Sequence, residues 1–273
     1  MSSWDGRVNR SAYAEVEAMA NYPTRAELDA YRTERLGKYE PYVRFFRRLG
    51  APPPGLRVLD VGSGSSAFLY ALESAGILRD GLAIELSAAR HEFAERWRLE
   101  GRFRAVTNVR ASFTDVPLKP RTYDRVSVLD ETYLYLRPQD DSYPSRLLDS
   151  AHRALVPGGL LILDFRNDAP VVANMPLEGR AFEVDLPATN AFDRASYRQL
   201  PSVDRLLLRN ESTYVARDGR TSTKVEITEV CDVEALATAL EARSFGSVAV
   251  YGDLEFAPFD SSSSPRAVIV ARK

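Results

Sequence analysis

The sequence contains little of what metal sites, disulfide frameworks and membrane spans require. Its 273 residues include one cysteine, Cys231, and two histidines, which excludes an intramolecular disulfide and the usual zinc spacings. Its apolar runs are too short for a membrane span, and its first residues lack the apolar core of a signal peptide. We therefore expect no metal cluster and no membrane contact, a free buried thiol at Cys231, and a cytoplasmic location.

The sequence also lacks an excess of positive charge. Lys and Arg number 36 against 38 Asp and Glu, which gives a formal net charge of -2. Proteins that hold a nucleic-acid backbone normally carry a broad basic surface. Nucleic acid is therefore not an expected partner. The 45% hydrophobic and 27% charged residues are typical of a globular protein, here one large α/β domain or a domain with an elaboration.

The stretch Val58-Leu-Asp-Val-Gly-Ser-Gly64 predicts a buried strand followed by a tight glycine turn. Gly62 and Gly64 allow the backbone to approach a ligand that a Cβ would obstruct. Residues from Ser65 to Gly76 then show helical spacing of apolar side chains and a glycine stop. This strand, turn and helix start predict a nucleotide-type site at the carboxyl end of the strand.

Two kinds of cofactor site share this outline. Gly62, Gly64 and Ala67 fit the dinucleotide pattern G-x-G-x-x-G/A, so an NAD(P)-dependent oxidoreductase is one hypothesis. The fuller string, with Asp60 two residues before the first glycine, resembles motif I of the class I S-adenosylmethionine-dependent methyltransferases. Ser66 departs from that family, which usually has a third glycine there. A non-catalytic cofactor-binding protein with the same fold is the third hypothesis.

Later segments extend the resemblance. Glu85 ends the predicted second strand, where an acid accepts hydrogen bonds from both ribose hydroxyls of the cofactor. Ser112 and Phe113 correspond to the adenine-binding pair of the family, with a serine in place of the usual acid and Asp115 as a substitute. The turn Pro157-Gly-Gly159 before an apolar strand also resembles the family.

The resemblance implies S-adenosylmethionine as cofactor and a small-molecule acceptor methylated on oxygen or nitrogen, with a secondary metabolite as one candidate. Asp130, Glu131 and Tyr133 are the candidate catalytic residues, because the family places the methyl donor against the acceptor after the fourth strand. Capping acids and a core aromatic are the alternative interpretation. The cofactor-binding residues implied by the resemblance are Asp60, Gly62, Ser63, Gly64, Glu85, Leu86, Ser112, Phe113 and Leu129.

The predicted fold is α/β: a Rossmann-like, seven-stranded, mostly parallel sheet with a terminal antiparallel hairpin, an N-terminal helical segment and an inserted small antiparallel β-sheet. The expected units are an N-terminal helical cover (1–54), the S-adenosylmethionine-binding core (55–165), the insertion (166–230) and the last helix with the terminal hairpin (231–273).

Local patterns mark both covering segments. A capping box at Thr24 and Glu27 starts an N-terminal helix, and the pair Asp218-Gly219 predicts a hairpin turn in the insertion. Strands are expected in the insertion at 181–186, 205–215 and 221–230. The insertion is either a substrate cover or the contact surface of a homodimer, and the sequence leaves both interpretations open.

Overall fold

A computed structural model describes residues 24–52, 54–186 and 192–273, so the predicted helical cover before residue 24 lies outside the described residues. Helices and strands alternate along most of the chain. The helices are α1 (Arg25–Lys38), α2 (Glu40–Arg48), α3 (Ala67–Ser74), α4 (Ala88–Gly101), α5 (Leu136–Gln139), α6 (Tyr143–Ala154), α7 (Ala169–Ala173) and α8 (Val233–Glu241). The strands are β1 (Leu56–Val61), β2 (Leu78–Glu85), β3 (Val106–Arg110), β4 (Tyr123–Val128), β5 (Leu155–Arg166), β6 (Arg180–Asp185), β7 (Phe192–Pro201), β8 (Leu207–Ala216), β9 (Thr221–Glu229), β10 (Ser247–Tyr251) and β11 (Arg266–Arg272).

The main sheet has seven strands in the order β10-β11-β5-β4-β1-β2-β3. Strands β1 to β5 run parallel to one another, and β11 runs antiparallel to both of its neighbours. The chain continues from β1 to β2 on one side and later returns to the other side of β1 as β4. The topological switch therefore lies between β1 and β4, where open α/β sheets bind their ligands. The predicted seven-stranded sheet with a terminal antiparallel hairpin is confirmed.

Apolar side chains cover both faces of this sheet. One cluster joins strand residues to α6 and α8, as at Leu147 and Leu240. The other joins them to α2 and α3, where Phe45, Phe46 and Phe68 are almost completely buried. Because each buried aromatic ring removes a large apolar area from water, this second cluster holds the N-terminal helices on the sheet.

The start of α1 is fixed by its own sequence and by contacts with α4. The amide of Glu27 donates to Thr24 Oγ1 at 3.2 Å, and the amide of Thr24 donates to Glu27 Oε2 at 3.0 Å, as the capping-box pattern predicts. Arg25 and Arg32 each donate to Glu100 Oε2 at 2.7 Å. The first two turns of α1 are thus attached to the helix that follows β2.

The insertion forms a four-stranded antiparallel sheet in the order β6-β7-β8-β9. The sequence predicts β6, β8 and β9 but not β7. A register irregularity between Phe192 and Arg194 breaks the alternation of apolar and polar residues on which strand prediction depends. The hairpin between β8 and β9 turns at Gly219, whose φ is +82°, as predicted.

An ion pair at the surface joins the insertion to the N-terminal helices. Arg217, next to the turn between β8 and β9, donates to Glu27 Oε1 of α1 at 2.7 Å.

Cys231, which follows β9, is a free and buried cysteine, as predicted. None of the described helices combines the length and the apolar character needed to span a bilayer.

A buried polar cluster joins α2 to β5 and β11. Tyr42 Oη donates to Asp164 Oδ2 at 2.5 Å, and Arg266 Nη2 donates to the same oxygen at 2.7 Å. Asp164 is completely buried, and this burial raises the pKa of its carboxyl even though Arg266 and Tyr42 act in the opposite direction. Since a buried carboxyl requires hydrogen-bond partners, the cluster links the position of α2 to the centre of the sheet.

We predict that Tyr42→Phe lowers the free energy of unfolding by about 1 to 3 kcal/mol, because it removes a hydrogen bond to a buried carboxyl while keeping the ring. Urea denaturation followed by circular dichroism measures the change. Tyr251→Phe is the matched control, since among the described residues the Tyr251 hydroxyl has no side-chain hydrogen bond and its ring also packs against Phe45. Equal losses in the two variants would contradict the prediction.

Candidate active site

The loops after β1 and β4 approach each other so closely that only glycine fits between them. Gly62 has a φ of +72°, and a Cβ placed on it would lie 2.5 Å from Thr132 Oγ1. Gly64 also has a positive φ, of +57°. Gly62 thus permits a close approach to Thr132, and the turn forms one wall of a cavity, whereas the predicted approach of the glycines to a ligand remains a prediction.

Ser66 occupies the position where the related family usually has glycine, and it adopts a glycine-like conformation. Its φ is +59°, and α3 begins at the next residue. Ser66 Oγ donates to Asn108 Oδ1 of β3 at 2.7 Å. A left-handed residue other than glycine is strained by roughly 1–2 kcal/mol, and this hydrogen bond offsets part of that strain. The departure from the motif thus leaves the turn intact.

Glu85 is held by the backbone of two different loops. Gly64 N donates to Glu85 Oε2 at 2.8 Å, and Ser87 N donates to Glu85 Oε1 at 2.7 Å. Ser87 also caps α4 by accepting a hydrogen bond from the amide of Arg90. With both oxygens fixed and each able to accept a further hydrogen bond, the carboxylate is oriented to bind a pair of hydroxyl groups.

Asp60 lies beneath the glycine turn with 3% of its surface exposed. Ser127 Oγ of the neighbouring strand β4 donates to Asp60 Oδ1 at 2.7 Å. Burial raises the pKa of Asp60 to about 7, although the hydrogen bond from Ser127 acts in the opposite direction. This carboxyl therefore changes its charge near neutral pH.

Asp130 connects the loop after β4 to the N-terminal helices. Lys38 Nζ lies 2.9 Å from Asp130 Oδ2, and Tyr39 Oη donates to the same oxygen at 2.6 Å. Burial would raise the pKa of Asp130, but the charge of Lys38 and the hydrogen bond from Tyr39 lower it below its usual value. Asp130 is thus ionised at neutral pH and is a weak base.

A cavity of about 870 Å³ lies at this edge of the sheet. Its walls include Asp130 and every predicted cofactor-binding residue, from the glycine turn through Glu85 to Leu129. Of these, Leu86 is 44% exposed, whereas Phe113 packs edge-to-face against Tyr143.

Ser112 lines the cavity and shares a hydrogen bond of 2.8 Å with Thr114. Asp115, the proposed substitute for Ser112, is exposed and does not line the cavity.

Two of the candidate catalytic residues have contacts outside this cavity. Glu131 forms an ion pair of 3.1 Å with Arg166, and burial raises the pKa of its carboxyl although Arg166 lowers it. The ring of Tyr133 stacks on Phe165 in the core, and burial raises the pKa of its hydroxyl. Neither residue lines the cavity, so the structure brings Asp130 alone of the three to its wall.

The structure adds cavity residues that the motifs do not identify. Tyr31, Arg35 and Tyr39 of α1 and its C-cap form one wall. Phe192, Tyr214 and Lys224 of the inserted sheet contribute to another. The i, i+4, i+8 spacing of the first three residues predicts a shared helix face but not what that face covers.

A largely buried ion pair forms part of the cavity wall on the inserted sheet. Lys224 Nζ is 2.9 Å from Glu226 Oε2, and both side chains are 9% exposed. Tyr135 Oη, from the loop after β4, donates to Glu226 Oε1 at 2.8 Å. The inserted sheet is therefore joined by hydrogen bonding to the same loop that carries Asp130.

Comparison with known proteins identifies the domain around this cavity. Residues 59–163 match a family model described as a methyltransferase domain. No curated protein matches the sequence. The matched segment begins in β1 and ends in β5, and therefore contains both loops at the topological switch.

Solved structures share the fold at low sequence identity. The CcbJ methyltransferase from Streptomyces caelestis aligns with a TM-score of 0.71 and 17% identity over 86% of this chain and 88% of its own. An S-adenosylmethionine-dependent methyltransferase from Clostridium acetobutylicum ATCC 824 aligns with a TM-score of 0.71 and 13% identity, covering 86% and 91%. CalS10 from Micromonospora echinaspora, an amino pentose methyltransferase solved with S-adenosylmethionine bound, aligns with a TM-score of 0.63 and 17% identity, covering 93% and 99%.

Residues 59–163 thus form a class I S-adenosylmethionine-dependent methyltransferase domain. Methyltransferase activity is therefore assigned to this domain, with S-adenosylmethionine as its cofactor. Glu85 lines the cavity with both carboxylate oxygens held by backbone amides, and its contact with the ribose of the cofactor remains a prediction. A dinucleotide enzyme would instead require a second βαβαβ half where the antiparallel pair β10 and β11 lies.

We predict that the raised pKa of Asp60 makes stability depend on pH. An unfolded aspartate has a pKa near 3.9, so between about pH 4 and pH 7 the native state binds the extra proton. The free energy of unfolding contributed by Asp60 therefore falls as pH rises through this interval and levels off above pH 7. Relative to Asp60→Asn, which cannot ionise, the wild type should lose about 2–3 kcal/mol between pH 5 and pH 8.

Urea denaturation of both proteins at pH 5, 6, 7 and 8 measures this difference. The asparagine oxygen can still accept the hydrogen bond from Ser127, so the comparison isolates the ionisation. A difference that stayed constant across the four pH values would show that Asp60 is ionised throughout.

Proposed function

We propose that this methyltransferase transfers the methyl group to an oxygen or nitrogen of a small molecule, with a secondary metabolite as the acceptor. The observation that carries the proposal is the shape of the cavity. It is bounded by the cofactor loops, by α1 and by the inserted sheet, and its volume of about 870 Å³ lies within the range usual for small-molecule sites. Such a walled cavity favours an acceptor that can be enclosed.

The chemistry of the walls is consistent with this acceptor class. Beyond the cofactor loops, Tyr135, Tyr143, Phe192 and Tyr214 supply aromatic surface for an organic ring or chain. The bound cofactor supplies an electrophilic methyl group on a sulfonium. The protein's part is then to align the acceptor and exclude water, a contribution that can reach roughly 7–11 kcal/mol.

The inserted sheet is proposed as the acceptor cover. Its residues Tyr214 and Lys224 line the cavity, and Glu226 is bonded to the loop after β4. The solved relative CalS10 is an amino pentose methyltransferase involved in calicheamicin biosynthesis, so a protein of this fold acts on a small acceptor. The same sheet leaves β6 exposed at its edge, and the homodimer hypothesis applies to that edge rather than to the strands that line the cavity.

The proposal predicts formation of S-adenosylhomocysteine when the protein is incubated with S-adenosylmethionine and a panel of small amines, alcohols and phenols. Mass spectrometry of the acceptor should show a gain of one methyl group.

Glu85→Ala should weaken S-adenosylhomocysteine binding roughly 10- to 100-fold in calorimetric titration, because it removes the carboxylate that is proposed to accept hydrogen bonds from the ribose hydroxyls.

Glu34→Ala, which removes an exposed glutamate of α1, is the matched control and should bind normally. Binding of NAD(P)H instead of the adenosyl ligands would refute the proposal. Methylation confined to added protein or nucleic acid, with none of the panel modified, would refute the small-molecule acceptor.

We predict that Asp130→Ala lowers kcat more than it weakens cofactor affinity. Asp130 is proposed to orient the acceptor rather than to remove its proton. Lys38 and Tyr39 bond to its carboxylate and lower its pKa, which makes it a weak base. An amine that arrives neutral needs no base. The ratio of the wild-type kcat to the Asp130→Ala kcat should therefore be the same between pH 7 and pH 9. Steady-state kinetics on an acceptor from the panel tests this, and an unchanged kcat would remove Asp130 from the reaction.

A further inference from the structure

Strand β6 is the free edge of the inserted sheet. All six of its residues, Arg180–Asp185, are exposed, and among the described strands it pairs only with β7. A free edge presents a row of unpaired backbone N–H and C=O groups, which native proteins commonly protect with proline, lysine or a β-bulge. Strand β6 contains neither proline nor lysine, and its register with β7 is regular along its whole length. This edge is therefore open to a further strand.

The hydrogen bonding between β6 and β7 shows which backbone groups face the free edge. The amide of Leu186, directly after β6, donates to Asp193 O of β7 at 2.7 Å. Because bonding directions alternate along an antiparallel strand, the even-numbered residues of β6 direct their N–H and C=O groups to β7. The groups of Ala181, Glu183 and Asp185 therefore point away from the sheet, and they are the ones that a further strand would bond.

One face of this edge carries exposed apolar side chains. Phe182 and Val184 are 40% and 41% exposed, and they lie on the same face of the sheet as the cavity-lining Tyr214. The ring of Phe182 stacks on Tyr197 at 5.1 Å, and Tyr197 lies 6.4 Å from Tyr214. The apolar face of the sheet thus continues past the cavity to a strand that the rest of the described chain leaves uncovered.

A second copy of this chain supplies a strand that fits the edge. Two antiparallel copies of β6 are related by a two-fold axis that passes through one residue. At Glu183 the axis would oppose two carboxylates, which is unfavourable. At Phe182 it opposes two phenyl rings as a non-hydrogen-bonded pair, in which side chains approach most closely. The same register pairs Ala181 with Glu183 of the second copy, so that outward-facing N–H and C=O groups meet.

This register also gives a partner to a charge on the opposite face of the sheet. Arg198 of β7 is exposed and lies directly beside Ala181, and its ion pair with Glu211 is long, at 3.8 Å. Because Ala181 has a short side chain, Arg198 extends over it towards Glu183 of the second copy. Opposite charges on neighbouring strands are favourable. The edge is therefore self-complementary in its backbone groups, its aromatic ring and its charges.

We propose that this protein forms a two-fold dimer through β6, with Phe182 opposite Phe182 of the second copy. Each copy contributes its four-stranded inserted sheet, and the two sheets form one continuous sheet. No residue of β6 lines the cavity, so the dimer leaves the proposed cofactor and acceptor contacts unchanged. The two segments proposed as acceptor covers then support each other across the axis.

Sedimentation velocity of the whole chain tests the dimer, and the wild type should sediment as a dimer at about 100 µM. Ala181→Pro removes an N–H that faces the free edge, a position at which an edge strand tolerates proline. Two hydrogen bonds are lost per dimer, so the dissociation constant should rise roughly 10- to 100-fold. Far-UV circular dichroism and calorimetric titration with S-adenosylhomocysteine should match the wild type, because the pairing of β6 with β7 is kept.

A charge exchange tests the register. Glu183→Arg and Arg198→Glu each place like charges across the axis and should weaken the dimer roughly 10-fold, whereas the double variant should restore it. This pair also replaces Ala181→Pro if the proline variant does not fold. Arg220→Glu makes the same change of charge at the turn between β8 and β9, and this control should dimerise as the wild type does.

A wild type that stays monomeric at about 100 µM overturns the inference. A dimer that persists unchanged in Ala181→Pro overturns it as well, because the copies would then meet at another surface. Weakening by both single charge variants without recovery in the double variant overturns the register through Phe182. None of these results alters the cofactor or the acceptor class, which the binding and methylation experiments test separately.

Discussion

The hydrogen bonds that two backbone amides donate to Glu85 set the geometry of the end of the cavity where the cofactor ribose is predicted to bind. One amide belongs to the glycine turn after β1 and the other to the start of α4, so a single carboxylate fixes two loops relative to each other. The parallel pairing of Val61 with Ile84 brings these loops side by side, and the conformation of Gly64 directs its N–H towards the acid. Because backbone donors do not change rotamer, they hold the carboxylate with little residual freedom.

A second carboxylate organises the other end of the cavity. Asp130 and Glu131 are consecutive residues with positive φ, of 50° and 72°, a conformation that is unfavourable for residues other than glycine. Contacts from outside the loop hold them there: Lys38 and Tyr39 bond to Asp130, and Arg166 pairs with Glu131. Strained backbone held by surrounding contacts is common at functional sites. The loop after β4 is thus shaped jointly by the N-terminal helices and by β5.

Local sequence was sufficient for features whose causes are local. The capping box at Thr24, the turn at Gly219 and the glycine turn at Gly62 each depend on a few neighbouring residues, and each appears where the pattern placed it. Strand β7 was missed because the register irregularity at Phe192 disturbs the alternation that identifies a strand. The partners of Asp130 and the environment of Arg35 could not be predicted, since they lie far away along the chain and meet only after the helices pack on the sheet. The displacement of Glu131 and Tyr133 from the cavity has the same origin: adjacent positions in a loop point to different partners.

The ion pair between Glu27 and Arg217 joins the two segments that enclose the cavity. Both side chains are partly exposed, and an exposed pair of this kind contributes little to stability and is screened by salt. Higher ionic strength should therefore loosen the link between the hairpin and the helix while leaving both elements folded, because each element is held mainly by its own backbone hydrogen bonds.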